Sequence, residues 1–256
     1  LLNGYGFNLH HIPLSRTSLN PLGEIYTFMK LYRILKSLEP SVVHSITIKP
    51  NLYSSILCNI LSIKLISTYP GLGTLKTSES LVHKLVSKLI LFTIKGSLVK
   101  SSILLFENEE DRQYFLDNKV ACHKRLIRVN GAGIDIDKFY KAPINTERDG
   151  LQLLFASRLL SNKGLSDIVM AVDNLKRQGY QINLSVAGIF DLKSPYAISR
   201  KLISEYASKG LIEWLGQRDD IPNLIGESDI VVLPTTYGEG VPRILIEACA
   251  MGRPIL

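Results

Sequence analysis

From Leu151 onward, short apolar runs alternate with stretches of helical periodicity, and that alternation admits few folds. Leu151-Gln-Leu-Leu-Phe-Ala-Ser157 has the length of a strand, and Leu165, Ile168, Val169, Val172 and Leu175 recur at helical spacing as far as Gln178. Residues 182–187 alternate as a strand does and stop at Gly188. A helix over 197–208, a strand over 212–215 and a short helix over 221–226 follow. Ile230-Val-Val-Leu233 is a continuous apolar run, as in a buried strand. Pro242 suits the first turn of a last helix, where a missing N–H costs nothing. Strands alternating with helices predict the α/β class, with a parallel sheet covered on both faces.

The first half repeats the theme less cleanly. Candidate strands are 42–44, 64–69, 103–106 and 126–129; candidate helices are 21–38, 52–61, 81–94 and 109–117. Residues 141–150 hold Pro143, Asn145, Asp149 and Gly150 with little apolar content and read as a linker. Two α/β domains are expected, 1–140 and 151–256. The chain opens Leu1-Leu-Asn3 and closes on Pro254-Ile-Leu256, which reads as a strand just beginning, so both domains are expected to be cut at their outer ends.

Several classes are excluded early. The three cysteines, Cys58, Cys122 and Cys249, are widely spaced and form no Cys-x-x-Cys. A disulfide framework or zinc site does not fit, and a reducing compartment does. No apolar stretch approaches the roughly 18–20 residues of a membrane helix; Leu89-Ile-Leu-Phe-Thr-Ile94 comes nearest and is closed off by Lys88 and Lys95. The net charge of +7 lies wholly in the first half: residues 1–150 hold 19 Lys and Arg against 12 Asp and Glu. Residues 1–106 hold 11 against 3. Such asymmetry suits an anionic partner, or is a solvated basic face. Nucleic acid is disfavoured, because no aromatic-basic stacking surface is evident.

The chemistry gathers in the loops. In an open parallel sheet, ligands bind beyond the carboxyl ends of the strands. In the second half those ends are 157–163, 188–191, 216–220 and 234–240, so charges far apart in sequence can converge. Arg158 and Lys163 bracket one strand-to-helix turn before Gly164. Cations are mildly unfavourable at a helix start, and together they suit a diphosphate, the guanidinium as a fork and the ammonium as a point charge. Glu239 lies between Gly238 and Gly240, just before the helix that Pro242 opens; Glu247 is eight residues on. Two acids so spaced can touch different parts of one hydroxyl-rich ligand. The plainer reading is a capping acid and a solvent-facing helix acid.

Ser157-Arg-Leu-Leu-Ser-Asn-Lys-Gly164, Asn130-Gly-Ala-Gly-Ile-Asp135 with Phe139, and the Glu239-to-Glu247 signature through Gly252-Arg-Pro254 together resemble the retaining glycosyltransferases of family 4, also called glycosyl transferases group 1. His44-Ser-Ile-Thr-Ile-Lys-Pro50 and Phe106-Glu-Asn108 also look like segments of that family. The resemblance implies two Rossmann-like domains in the GT-B arrangement, closing on a nucleoside-diphosphate sugar, UDP as the nucleotide, without metal or other cofactor. It implies that Arg158 and Lys163 bind the diphosphate, and that Glu239 takes sugar hydroxyls with the N–H groups of Gly240 and Val241. It further implies Glu247 on the ribose and Gly216-Gln-Arg218 along the base. Arg158, Lys163 and Glu239 are the residues expected to act in catalysis. His44, Gly71 and Gly73 are candidates for acceptor or phosphate contact, against the plainer readings of a satisfied histidine and a turn. Where many relatives have a histidine after the second strand, this chain has Tyr69-Pro70. Asp135-Ile-Asp137 reads as a cap rather than a metal site.

Residues 81–92 read as an amphipathic helix, its apolar face expected to pack on the sheet and its lysines (Lys76, Lys84, Lys88, Lys95, Lys100) forming a basic edge. With the charged first half, this suggests a protein peripheral to an anionic membrane at the inner, cytoplasmic face. Its acceptor would be a sugar or glycan on a polyprenyl diphosphate. A nucleotide-sugar epimerase of the same fold and a non-catalytic nucleotide-sugar-binding subunit are the alternatives.

Overall fold

The computed structural model describes residues 6–14, 20–73, 81–98, 102–141, 143, 148–192, 194–236 and 238–256, with the backbone alone for 81–83. The chain divides into two compact units, Leu1–Val129 and Asn130–Leu256.

The first unit holds helix α1 (Pro21–Leu38), strand β1 (Val42–Ile46), α2 (Ile48–Leu61), β2 (Lys64–Tyr69), α3 (Leu81–Ser97), β3 (Ile103–Phe106), α4 (Glu109–Asp117) and β4 (Leu126–Arg128). Its four strands are parallel in the order β1-β2-β3-β4. Asn20 caps α1 by accepting from the N–H of Leu22, and Asn108 caps α4 by accepting from Asp111. Helix α2 starts before the expected Leu52 because Pro50 sits in its first turn, where no N–H is required. Tyr69 stacks on Phe106 and both meet Phe115 at an angle, with ring centroids 4.9–5.3 Å apart. Burial pushes the Tyr69 hydroxyl well above its ordinary pKa and the Cys58 thiol up to about 11.

Helix α3 departs from expectation. Its packed face is Ser87, Leu91, Ile94 and Ser97, whose hydroxyl lies 2.7 Å from that of Ser55 on α2. Leu85, Val86, Leu89 and Phe92 face outward instead of packing on the sheet. The small Ser97 lets α3 approach α2 closely, and the bulkier stripe is left outside. Lys76 and Lys100 lie outside the described residues, as do the side chains of Leu81 and Val82.

The second unit runs β5 (Leu151–Ala156), α5 (Leu165–Arg177), β6 (Ile182–Ala187), α6 (Arg200–Ser208), β7 (Glu213–Gly216), α7 (Ile221–Glu227), β8 (Ile230–Val231) and α8 (Arg243–Ala250). The strands are parallel in the order β7-β6-β5-β8. Along β5, Leu153 and Phe155 pack with α5 and α6, while Leu154 and Ala156 pack with α7 and α8. The continuous apolar strands thus reflect a sheet covered on both faces. Helix α6 begins three residues later than its periodicity suggests, because the Ser199 hydroxyl accepts from Leu202 N–H and fixes the start there. The division between units falls before the expected linker: Phe139 is buried against Leu154, Val231 and Ala248, so residues 130–141 belong with the second unit. Within the linker range, 142 and 144–147 lie outside the described residues.

Candidate functional site

Four loops meet at the carboxyl edge of the second sheet, joined by backbone hydrogen bonds. Ser157 N–H donates to Ala187 O (3.1 Å), Leu159 N–H to Ile189 O (2.9 Å), Gly188 N–H to Gly216 O (2.8 Å) and Thr236 N–H to Asn162 O (3.0 Å). Glycine is required at two of these approaches. A Cβ on Gly188 would stand 1.9 Å from Ser157 O, and one on Gly164, whose φ is +80°, would stand 2.3 Å from Pro234 O. Neither position admits a larger residue without prising the loops apart.

The loops after β5, β6 and β7, with α7 and α8, line an open hollow of about 260 Å³. Arg158 from the β5 loop, Arg218 from the β7 loop and Glu247 from α8 all line it, with Gly188, Ile221 and Ile244. Two cations and one acid from three separate segments therefore share a hollow. Arg158 also donates to Asp191 at 3.1 Å, and Arg218 makes a forked pair with Asp220 at 2.6 and 2.7 Å. Glu247 is 7% exposed and accepts from Arg243 Nε at 2.8 Å. Burial pushes its carboxyl above the ordinary range, while Arg243 and Lys138 pull in the opposite direction.

Lys163 and Glu239 do not line this cavity. Lys163 ends the short 3-10 turn Ser161–Lys163, is 5% exposed, and donates its ammonium to Glu239 Oε1. The Thr235 hydroxyl is 3.0 Å from the same carboxylate oxygen and 3.3 Å from Asn162 O. The two residues expected to serve diphosphate and sugar are thus each other's counter-ions, between the β5 loop and the loop before α8. Gly240 and Val241 lie at the end of that loop, and Tyr237 lies outside the described residues. Gly216, with φ +72°, closes β7 and turns the chain toward Arg218.

The candidate acceptor contacts belong to the first unit. His44 lies within β1 rather than at its end, and its Nε2 is 2.8 Å from the Thr68 hydroxyl on β2. Gly71 and Gly73 flank Leu72, whose N–H donates to the buried Asp111 at 3.0 Å. Asp135 accepts from the N–H groups of Asp137 (3.0 Å) and Lys138 (3.3 Å), which is a capping geometry. Among the described residues no three His, Cys, Asp or Glu side chains stand together as metal ligands do. Within Gly252-Arg-Pro254, Arg253 is structural: 3% exposed, it donates to the carbonyls of Ile225, Gly226 and Pro143.

Asp191, Thr235 and Arg243 escaped the sequence reading. Arg243 was within reach, because it stands four residues before Glu247 on a helix. Asp191 and Thr235 look like ordinary turn residues, and only the fold brings them to Arg158 and Glu239.

Two α/β units, each built on a four-stranded parallel sheet, with charged loops gathered at the carboxyl edge of one, are the kind of units a GT-B glycosyltransferase is made of. Residues 137–256 match the family described as glycosyl transferases group 1, and residues 2–108 the one described as glycosyl transferase 4-like. The chain belongs to these family 4-like GT-B glycosyltransferases. It is 26% identical to the N,N'-diacetylbacillosaminyl-diphospho-undecaprenol alpha-1,3-N-acetylgalactosaminyltransferase of Campylobacter jejuni, over 100% of the chain and 68% of that relative. It is 22% identical to the UDP-Gal:alpha-D-GlcNAc-diphosphoundecaprenol alpha-1,3-galactosyltransferase of Escherichia coli, over 96% of the chain and 64% of that protein. With the amylovoran biosynthesis glycosyltransferase AmsK of Erwinia amylovora it shares 27% identity, over 54% of the chain and 35% of the relative. The chain thus spans between 35% and 68% of these relatives' lengths. Among solved structures, Anabaena Alr3699/HepE in complex with UDP and glucose superposes with a TM-score of 0.69 at 19% identity, covering 93% of this chain and 64% of that one.

Proposed function

We propose that the protein is a retaining glycosyltransferase that moves a hexose or N-acetylhexosamine from a nucleoside-diphosphate sugar, with UDP as the nucleotide, to a sugar carried on a polyprenyl diphosphate. The observation that carries this reading is the convergence of Arg158, Arg218 and Glu247 on one hollow, with the Lys163–Glu239 pair on loops of the same sheet edge. Two relatives are named for transfer to undecaprenol-diphosphate-linked sugars, and one of them for a UDP-sugar donor. Assembly of surface polysaccharide at the inner membrane face follows from such an acceptor, and the basic first half suits the anionic surface there.

In this reading Arg158 and Lys163 hold the diphosphate, Glu247 the ribose diol, Arg218 and Gly216 the base side, and Glu239 with the N–H groups of Gly240 and Val241 the donor sugar. The bond from the sugar's anomeric carbon to the phosphate oxygen breaks. The acceptor hydroxyl oxygen bonds to that carbon on the same face, and its proton passes to the departing phosphate. Lys163 and Arg158 stabilise the charge that grows there, which is the role in which a fixed cation accelerates most. Gly71 and Gly73, which follow β2, and His44, which lies within β1, would meet the acceptor.

A screen with radiolabelled sugar nucleotides and membrane extract tests the reading. Transfer of label into lipid-soluble product is expected, with a loss of about 10²-fold or more in Lys163→Ala. Free, altered sugar without lipid-soluble label would refute it, as would wild-type rates in that variant.

A further inference from the structure

Helix α3 turns its bulkiest apolar stripe to the outside. Leu85 is 71%, Leu89 62% and Phe92 74% exposed, at the four- and three-residue spacings that share one helical face. Val86 continues the stripe at 45%. At 3.6 residues per turn, Lys84, Lys88 and Lys95 fall together along one flank of it, and all three are exposed. The helix contains no acidic residue. Its inner side is already satisfied by Ser87, Leu91, Ile94 and Ser97. The stripe is therefore not a core face turned the wrong way; the helix has two apolar sides, and the fold uses the other one.

Charge decides what suits this face. A second copy of the chain would set three lysines against three lysines. An anionic bilayer supplies both of the required environments, phosphates for the lysines and acyl chains for the stripe. The helix is too charged to cross a membrane, and among the described residues no helix is long and apolar enough to do so. A large apolar stripe beside a row of lysines describes a helix lying in the plane of the interface.

We propose that α3 is the membrane-docking element of the protein, inserting Leu85, Leu89 and Phe92 below the headgroups while Lys84, Lys88 and Lys95 bind lipid phosphate. This deepens the membrane part of the proposed function and rests on it, changing a purely electrostatic contact into insertion. Docking by this helix holds the first unit against the surface in which a lipid-carried acceptor resides.

Flotation of the protein with phosphatidylcholine vesicles, with and without phosphatidylglycerol, tests this. The wild type is expected to float with the anionic vesicles and to keep part of that binding in 1 M salt, where charge is screened beyond about 3 Å. Leu89→Ser with Phe92→Ser is expected to lower partitioning by about 10-fold or more. Lys84→Gln with Lys88→Gln and Lys95→Gln is expected to lower it by on the order of 100-fold, each cation contributing about fivefold near the surface. All five positions are exposed, so the thermal midpoint should hold. As an independent readout, Phe92→Trp should gain quenching by brominated lipid over the background from Trp214. If the wild type floats and the Leu89/Phe92 variant floats equally, the membrane reading survives and insertion by α3 is overturned. A wild type that never floats overturns both, while transfer to a soluble acceptor analogue still reports on the glycosyltransferase reading.

Discussion

Glu239→Gln is expected to lose turnover and yet bind nucleoside diphosphate more tightly. The Lys163 side chain is 6% exposed and that of Glu239 23%, so water screens their attraction only in part. Removing one member of a buried pair costs about 3–5 kcal/mol, chiefly because the surviving charge is stranded. Glutamine keeps a carbonyl oxygen at the same reach, and Thr235 remains beside it, which reduces the cost to about 2 kcal/mol. A phosphate arriving at Lys163 relieves that cost in the variant, whereas in the wild type it must compete with the Glu239 carboxylate. The affinity gain can therefore reach about 30-fold, since each 1.4 kcal/mol is tenfold. Transfer should fall by about 10²-fold, because the carboxylate proposed to order the donor sugar is gone. Calorimetric titration of wild type, Glu239→Gln and Lys163→Ala with UDP, GDP and ADP separates the effects. Lys163→Ala should bind all three more weakly. If Glu239→Gln binds none of them more tightly than wild type, Glu239 does not compete with the diphosphate and the reasoning fails.

Glu247 gives a pH-dependent prediction. Its folded pKa is raised by burial, so the folded state holds the proton more firmly than the unfolded one, and stability falls as pH rises through the raised value. Glu247→Gln should melt above wild type at neutral pH and match it below about pH 4, while losing nucleotide affinity; a lower midpoint at neutral pH would refute the sign. Gly188→Ala should destabilise the second unit by about 2–3 kcal/mol or more and weaken UDP binding, because its Cβ would collide with Ser157 O at 1.9 Å; calorimetry that finds both unchanged would show the loop ends to be pliable. Arg253→Met keeps the volume but removes the guanidinium from the carbonyls of Gly226 and Pro143 and one donor from that of Ile225, which still accepts from Ser228; a loss of about 2–4 kcal/mol in chemical denaturation is expected, and a loss under 1 kcal/mol would mean that water replaces the guanidinium.

Strand 182–187 was legible from its alternation and strand 103–106 from a compact apolar run with sharp ends. The shared edge was legible for a different reason: parallel topology sends every strand's carboxyl end to one side, and there Arg158, Arg218 and Glu247 line one hollow, while Glu239 pairs with Lys163 and lines none of it. What resisted reading depends on contacts between segments distant in the chain. Phe139 draws residues 130–141 into the second unit, and nothing local to that loop announces Leu154 and Val231 as its neighbours. Asp191 and Thr235 acquire their meaning only beside Arg158 and Glu239. Helix α3 is the sharpest case. Its sequence contains two apolar stripes, one through Leu85, Leu89 and Phe92 and one through Leu91 and Ile94, and periodicity treats them alike. The serines set them apart: Ser97 meets Ser55 of α2 and Ser87 is buried on the same side, so the slimmer face goes inward and the bulkier one is left for another environment. Periodicity tells which side chains share a face; the size of the residues beside them tells which face the fold can afford to bury.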